Sequence, residues 1–166
     1  MSLVRGLPPI AAPDARVLVL GSMPGAASLA AGQYYAHPRN AFWPVMGALF
    51  GFDPRAEYAE RVARLQAAGV AVWDVLACCQ RRGSLDAAID LASAQPNDFR
   101  TFLAAHAQIR RLYFNGAAAE VAWRRLVLPQ GAWAALPRWR LPSTSPAHAS
   151  LGLARKIEAW RVLALA

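Results

Sequence analysis

Arg16-Val17-Leu18-Val19-Leu20, running straight into Gly21-Ser22-Met23-Pro24-Gly25, reads as a buried strand cut off by a turn. An apolar run without alternation fits a strand covered on both faces, and the two glycines and the proline end it. Working outward, Val70 to Val75 is a second strand of this kind. Ile109 to Phe114 is a third, closing at Asn115-Gly116, and Trp139 to Leu141 a fourth. Helices fill the intervals. One spans about Phe42 to Phe50, and Tyr58, Val62 and Leu65 mark the inner face of another that stops near Gly69. Asn97 is expected to cap a helix that turns Phe99, Phe102 and Leu103 inward, and Val121, Trp123 and Leu126 mark the next. Leu153, Ile157 and Trp160 set the inner face of the last. Strands alternating with helices predict an α/β fold of three layers, α/β/α, around a central four-stranded, mainly parallel sheet. With no repeat and no linker-like stretch, residues 1–166 read as one domain.

Eighteen basic residues against ten acidic ones give a formal charge of +8, which favours an acidic partner, nucleic acid first. Lys156 is the lone lysine and the rest are arginines, the better match to phosphate oxygens. Cys78 and Cys79 are adjacent and only three histidines are present, which argues against a disulfide framework and against a metal site. The sequence has neither an apolar span of membrane length nor a signal-like start, so a cytoplasmic protein is expected. Nothing calls for a cofactor or a dimer, and a monomer is expected.

In parallel sheets ligands bind beyond the carboxyl ends of the strands. That rule selects residues 21–40, 74–82, 115–116 and 142–150. The Gly21–Gly25 turn lets a ligand approach the main chain and offers its amides. Residues 33–43, Gln-Tyr-Tyr-Ala-His-Pro-Arg-Asn-Ala-Phe-Trp, put aromatic faces, a histidine, an arginine and an amide beside it. A base lifted from a helix needs an aromatic wall and polar groups along its edge. Asn40 also reads as a helix cap, and Phe42 and Trp43 as core. Asp74 ends the second strand, where it reads as a cap of the next segment or as a partner of Arg81 or Arg82.

Two segments carry a family resemblance. Leu20-Gly21-Ser22-Met23-Pro24-Gly25 followed by Tyr35-Ala36-His37-Pro38-Arg39-Asn40-Ala41-Phe42-Trp43 is one. Leu141-Pro142-Ser143-Thr144-Ser145-Pro146-Ala147-His148-Ala149, ahead of the last helix, is the other. Together they resemble the uracil-DNA glycosylase superfamily, first its mismatch-specific uracil/thymine branch and most closely its hypoxanthine-DNA (deoxyinosine) glycosylases. The uracil/thymine branch places an asparagine in the turn to position the attacking water; here Met23 stands there, and a thioether cannot orient water. The resemblance to the hypoxanthine group assigns that role to Asn40. It implies that the amides of Ser22 and Met23 stabilise the departing base. It also implies that Gly21, Tyr34, Tyr35, Asp74 and Asn115 surround that base, and that Arg39, Ser143, Thr144, Ser145, Ala147 and His148 meet double-stranded DNA. Ser143 reads equally as a cap. Ala147 lies near the residue that wedges into the vacated stack in relatives, but a methyl group is a poor wedge, which leaves His148 or no wedge at all.

The function implied is a monofunctional DNA glycosylase of base excision repair. It hydrolyses the N-glycosidic bond of a flipped, deaminated base, hypoxanthine foremost, and leaves an abasic site, since no lysine near the motifs could form a Schiff base. Uracil or mismatched thymine is the nearest alternative substrate. A catalytically inactive binder of damaged DNA is a different class, motivated by Met23. A hydrolase built on Ser145 with His148 or His37 lacks the serine elbow and an ordered acid.

Overall fold

The computed structural model describes residues 2–166. In chain order its main elements begin with strand β1 (Ser2–Arg5), strand β2 (Val17–Gly21), helix α1 (Ala26–Ala31), helix α2 (Phe42–Phe50) and helix α3 (Tyr58–Ala67). Strands β3 (Val70–Asp74), β4 (Leu76–Arg81) and β5 (Asp90–Pro96) follow. Then come helix α4 (Phe99–Ala105), strand β6 (Arg111–Asn115), helix α5 (Ala117–Ala122), strand β7 (Arg138–Leu141) and helix α6 (Leu153–Trp160).

The central sheet has four strands in the order β3-β2-β6-β7, every pair parallel. Strand pleating sends alternate residues to opposite faces. Leu18 and Leu20 of β2 join Leu112 and Phe114 of β6 in one core, closed by Phe99 and Phe102 of α4 and Ala119 and Ala122 of α5. Val17, Val19 and Tyr113 face the other way, onto Phe42, Val45 and Met46 of α2, Leu65 of α3 and Trp160 of α6. The expected three layers follow from this two-sided burial, each fully buried large side chain contributing roughly 1.5–3 kcal/mol.

The chain runs from β2 outward to β3, then crosses to β6 on β2's other side. The carboxyl ends of β2 and β6 therefore flank the switch point, where open α/β sheets bind ligands.

Four expectations need correction. A second, antiparallel sheet of order β1-β4-β5 was not foreseen; it packs Leu76 and Cys79 into the first core. Its residues show no clean period, because pairing shifts between β4 and β5 break the alternation. Asp98, not Asn97, caps α4: its carboxylate accepts from the Thr101 amide, while Asn97 donates to the carbonyl of Asp74. Leu153 is 48% exposed because the residues before it lie outside the core; Trp160 and Ile157 face the second core as expected, and Lys156 is buried beside them. Burial lowers the Lys156 pKa. The helix after β6 is α-helical only to Ala122 and continues through Val127 as a wider π turn.

Candidate active site

The turn after β2 is held by its carbonyls: Gly21 and Ser22 accept from the amides of Val75 and Leu76, 2.8 and 3.1 Å away. The amides of Ser22 and Met23 take part in none of the turn's backbone hydrogen bonds among the described residues. Met23 sends its side chain into the first core. Gly21 is required by close packing, since a Cβ there would fall 2.4 Å from Asp74 Oδ1 and 3.1 Å from Tyr35 Oη.

The aromatic loop is fixed at both ends. Tyr34 is buried, and its hydroxyl donates to the carbonyls of Leu7 and Pro8. Tyr35 adopts φ 54°, a left-handed conformation that costs a bulky residue energy and occurs mostly at functional positions. Its ring stacks on Phe42 at 4.1 Å, and its hydroxyl is buried without a hydrogen-bond partner. Burial, reinforced by the charge of Asp74, keeps that phenol protonated.

A turn over His37–Asn40, closed by the Asn40 amide on the His37 carbonyl, leads into α2. Asn40 Oδ1 accepts from the Phe42 amide at 2.9 Å, so Asn40 supports the start of the helix as the sequence allowed. One lone pair of that oxygen and the side-chain NH₂ remain.

Asp74 lies at the end of β3, 4% exposed, with Oδ2 buried and unpartnered. Burial, with the nearby charge of Asp86, pushes its pKa up to about 7, and Arg81 opposes them. Arg81 is itself only 3% exposed and donates to the carbonyl of Pro24. The Ser22 hydroxyl donates to Asp86 from across the cavity wall.

The late loop is clamped from β6. Asn115 Nδ2 donates to Thr144 Oγ1 and Asn115 Oδ1 accepts from the Thr144 amide, both at 2.9 Å. The Thr144 carbonyl in turn accepts from the Ala41 amide at 2.9 Å, joining the late loop to the start of α2. Trp160 of α6 donates to the Pro142 carbonyl. Ser143 accepts from the Ser145 amide and Ser145 from that of Ala147, so both serve as local caps.

These segments surround one cavity of about 580 Å³, within the roughly 300–1,000 Å³ of small-molecule sites. The sequence signature of the uracil DNA glycosylase superfamily matches residues 8–164. The chain belongs to that superfamily. The chain is 32% identical over 113 residues to a hypoxanthine DNA glycosylase of Methanosarcina barkeri, covering 68% of this chain and 70% of the relative. A protein of the same name from Methanosarcina acetivorans is 31% identical over 116 residues, covering 69% and 72%. A solution NMR structure from M. acetivorans, provisionally named a uracil DNA glycosylase, superposes with a TM-score of 0.78 at 27% identity, over 98% of this chain and 99% of that one.

The fold brings nearly all the residues singled out above to that cavity. Gly21, Ser22, Met23, Tyr34, Asp74 and Thr144 are buried along it. Tyr35, Asn40, Asn115, Ser143 and Ser145 line it at intermediate depth or at the edge of burial, and Ala147 and His148 stand exposed at its rim. Arg39 is exposed and lies outside the lining. No lysine or arginine lines the cavity among the described residues; its rim carries His37 and His148. Sequence reading missed the 84–86 segment, which forms one wall. Nothing in its composition signals this; only the antiparallel sheet delivers it there.

Proposed function

We propose that this glycosylase is a monofunctional enzyme that hydrolyses the N-glycosidic bond of a deaminated base, hypoxanthine first, flipped out of double-stranded DNA, leaving an abasic site. The observation that carries the reading is the convergence of the Gly21–Gly25 turn, Asn40 and the Ser143–Ser145 loop on one cavity, joined by the Ala41–Thr144 hydrogen bond. The names of the two Methanosarcina relatives support hypoxanthine.

In this reading the base lies against Tyr35, whose ring is backed by Phe42. The ring N–H of hypoxanthine meets Asp74. An ionised carboxylate only accepts, but a carboxyl with a pKa near 7 is substantially neutral at physiological pH and also donates to the adjacent carbonyl. Uracil presents the same N–H and carbonyl pair. The free amides of Ser22 and Met23 stabilise negative charge on the departing base. As the C1′–N bond breaks, an oxocarbenium-like sugar forms. Asn40 holds the water that captures it, through its NH₂ and the remaining lone pair of Oδ1, and the proton that water releases neutralises the departing base anion. No strong general base is needed for so reactive a cation.

The test is single-turnover excision from duplexes carrying hypoxanthine, uracil, thymine opposite guanine, or xanthine. Hypoxanthine is expected to be released fastest, with Asn40→Ala at least about 100-fold slower. Base release unaffected by Asn40→Ala overturns the assignment of Asn40, and no release from any duplex overturns the enzymatic reading.

A further inference from the structure

A flipped base leaves a gap in the stack, and apolar side chains fill such gaps. At the rim of the cavity Ala147 offers only a methyl group and His148 a polar ring. Leu85, 62% exposed, lines the same cavity. Of the large apolar side chains exposed among the described residues, only Leu85 lies there; Leu3, Trp139, Leu153, Val162 and Leu165 are elsewhere.

A lone surface leucine is ordinary. Leu85 differs in how it is supported. Its two neighbours are both fastened to the segment that surrounds the base. Ser84 Oγ accepts from the Ala26 amide at 2.9 Å, and Asp86 accepts from the Ser22 hydroxyl. Behind it, the Leu85 carbonyl accepts from the Ala88 amide at 3.0 Å, and Gly83, at φ 67°, makes the bend that carries the loop out. The loop thus holds one projecting aliphatic side chain at fixed distance from the Gly21–Gly25 turn. A wedge needs that arrangement: apolar, solvent-facing before binding, and rigidly related to the pocket that receives the base.

We propose that Leu85 is the wedge that enters the duplex at the vacated position, so that the antiparallel sheet supplies the stack-filling residue that the late loop lacks. This rests on the base-flipping reading above. A wedge acts only where there is a stack to open, so its loss affects duplex and leaves an unpaired strand alone.

The experiment compares wild type, Leu85→Ala, Leu85→Met and His148→Ala on hypoxanthine-containing DNA, as duplex and as single strand, under single-turnover conditions. Alongside, 2-aminopurine beside the lesion reports unstacking in the duplex without requiring bond cleavage. Leu85→Ala is expected to slow duplex excision tenfold or more, to leave single-strand excision within twofold, and to lose the fluorescence rise; Leu85→Met restores both. Equal losses on duplex and single strand assign Leu85 to holding the base rather than to filling the stack and overturn the proposal. So does an unchanged fluorescence rise in Leu85→Ala, or a duplex-specific loss confined to His148→Ala. A wild-type fluorescence rise that needs Leu85 but releases no base keeps the wedge and overturns the glycosylase reading instead.

Discussion

Gly21 and Asp74 are register partners at the ends of β2 and β3, and they pack so closely that a Cβ on Gly21 would sit 2.4 Å from the Asp74 carboxyl. Tyr35 Oη closes the same space from the other side at 3.1 Å. Gly21→Ala therefore displaces the two side chains proposed to hold the base. Overpacking of this kind costs about 1–3 kcal/mol. Thermal unfolding should fall by roughly 2–10 °C, and single-turnover excision should drop far more than the folded fraction does. Unchanged excision by a folded Gly21→Ala protein would remove Asp74 and Tyr35 from the base site.

The buried carboxyl of Asp74 ties stability to pH. Its pKa rises from the ordinary 3.8 to about 7 on folding, so between those values the folded chain holds a proton that the unfolded chain has released. Stability therefore falls as pH rises from about 4 to 7 and levels off above. Asp74→Asn is expected to be the more stable protein at pH 8, by up to about 4 kcal/mol, with the advantage vanishing near pH 4. The amide also accepts and donates as the neutral acid does. Wild-type excision should decline above pH 7 while Asp74→Asn stays level. Urea titrations and rates from pH 5.5 to 9 check both, and a decline that persists in Asp74→Asn assigns it to another group.

Asn40 does two things that one substitution can separate. Its Oδ1 accepts from the Phe42 amide, a contact worth about 1 kcal/mol in comparable caps. Asn40→Ser keeps a cap oxygen but has no NH₂ to hold water; Asn40→Ala loses both. Both variants should slow excision by about 100-fold or more, and only Asn40→Ala should lose stability. Chemical denaturation beside single-turnover rates separates them. Full activity in Asn40→Ser would show that the cap alone matters.

Legibility of the sequence followed how far each feature was local. Val17–Gly21 declared itself because four apolar residues in a row and the glycine that ends them carry their own meaning wherever they lie. The parallel sheet, and the segments at its carboxyl ends, followed from that pattern alone. The β4–β5 hairpin did not, since its pairing is irregular and the residues of β5 are half buried against a core built elsewhere. Arg81 reads as surface by composition, yet the chain buries it under the Pro24 carbonyl. Asn97 and Asp98 are both good caps; which one serves was decided by the Asp74 carbonyl, which engages Asn97 first. The wall built from residues 84–86 is a purely tertiary fact.

The clamp between Asn115 and Thr144 decides whether the late loop is a fixed part of the site. Asn115 receives the Thr144 amide and donates to its hydroxyl, and Thr144 passes the connection to Ala41, next to Asn40. Asn115→Ala leaves the buried Thr144 amide without an acceptor, a loss of about 1–3 kcal/mol. Thr144→Val removes only the hydroxyl. If the two residues act as one device, the double variant should be little worse than Asn115→Ala alone, in stability and in excision. The Thr144 amide should exchange with deuterium faster in Asn115→Ala while amides of β2 keep their protection. If Asn115 instead contacts the base through its own amide, Asn115→Ala will impair excision well beyond Thr144→Val and the two losses will add. A thermodynamic cycle over the four proteins, read once by denaturation and once by single-turnover excision, distinguishes a loop clamp from a base contact.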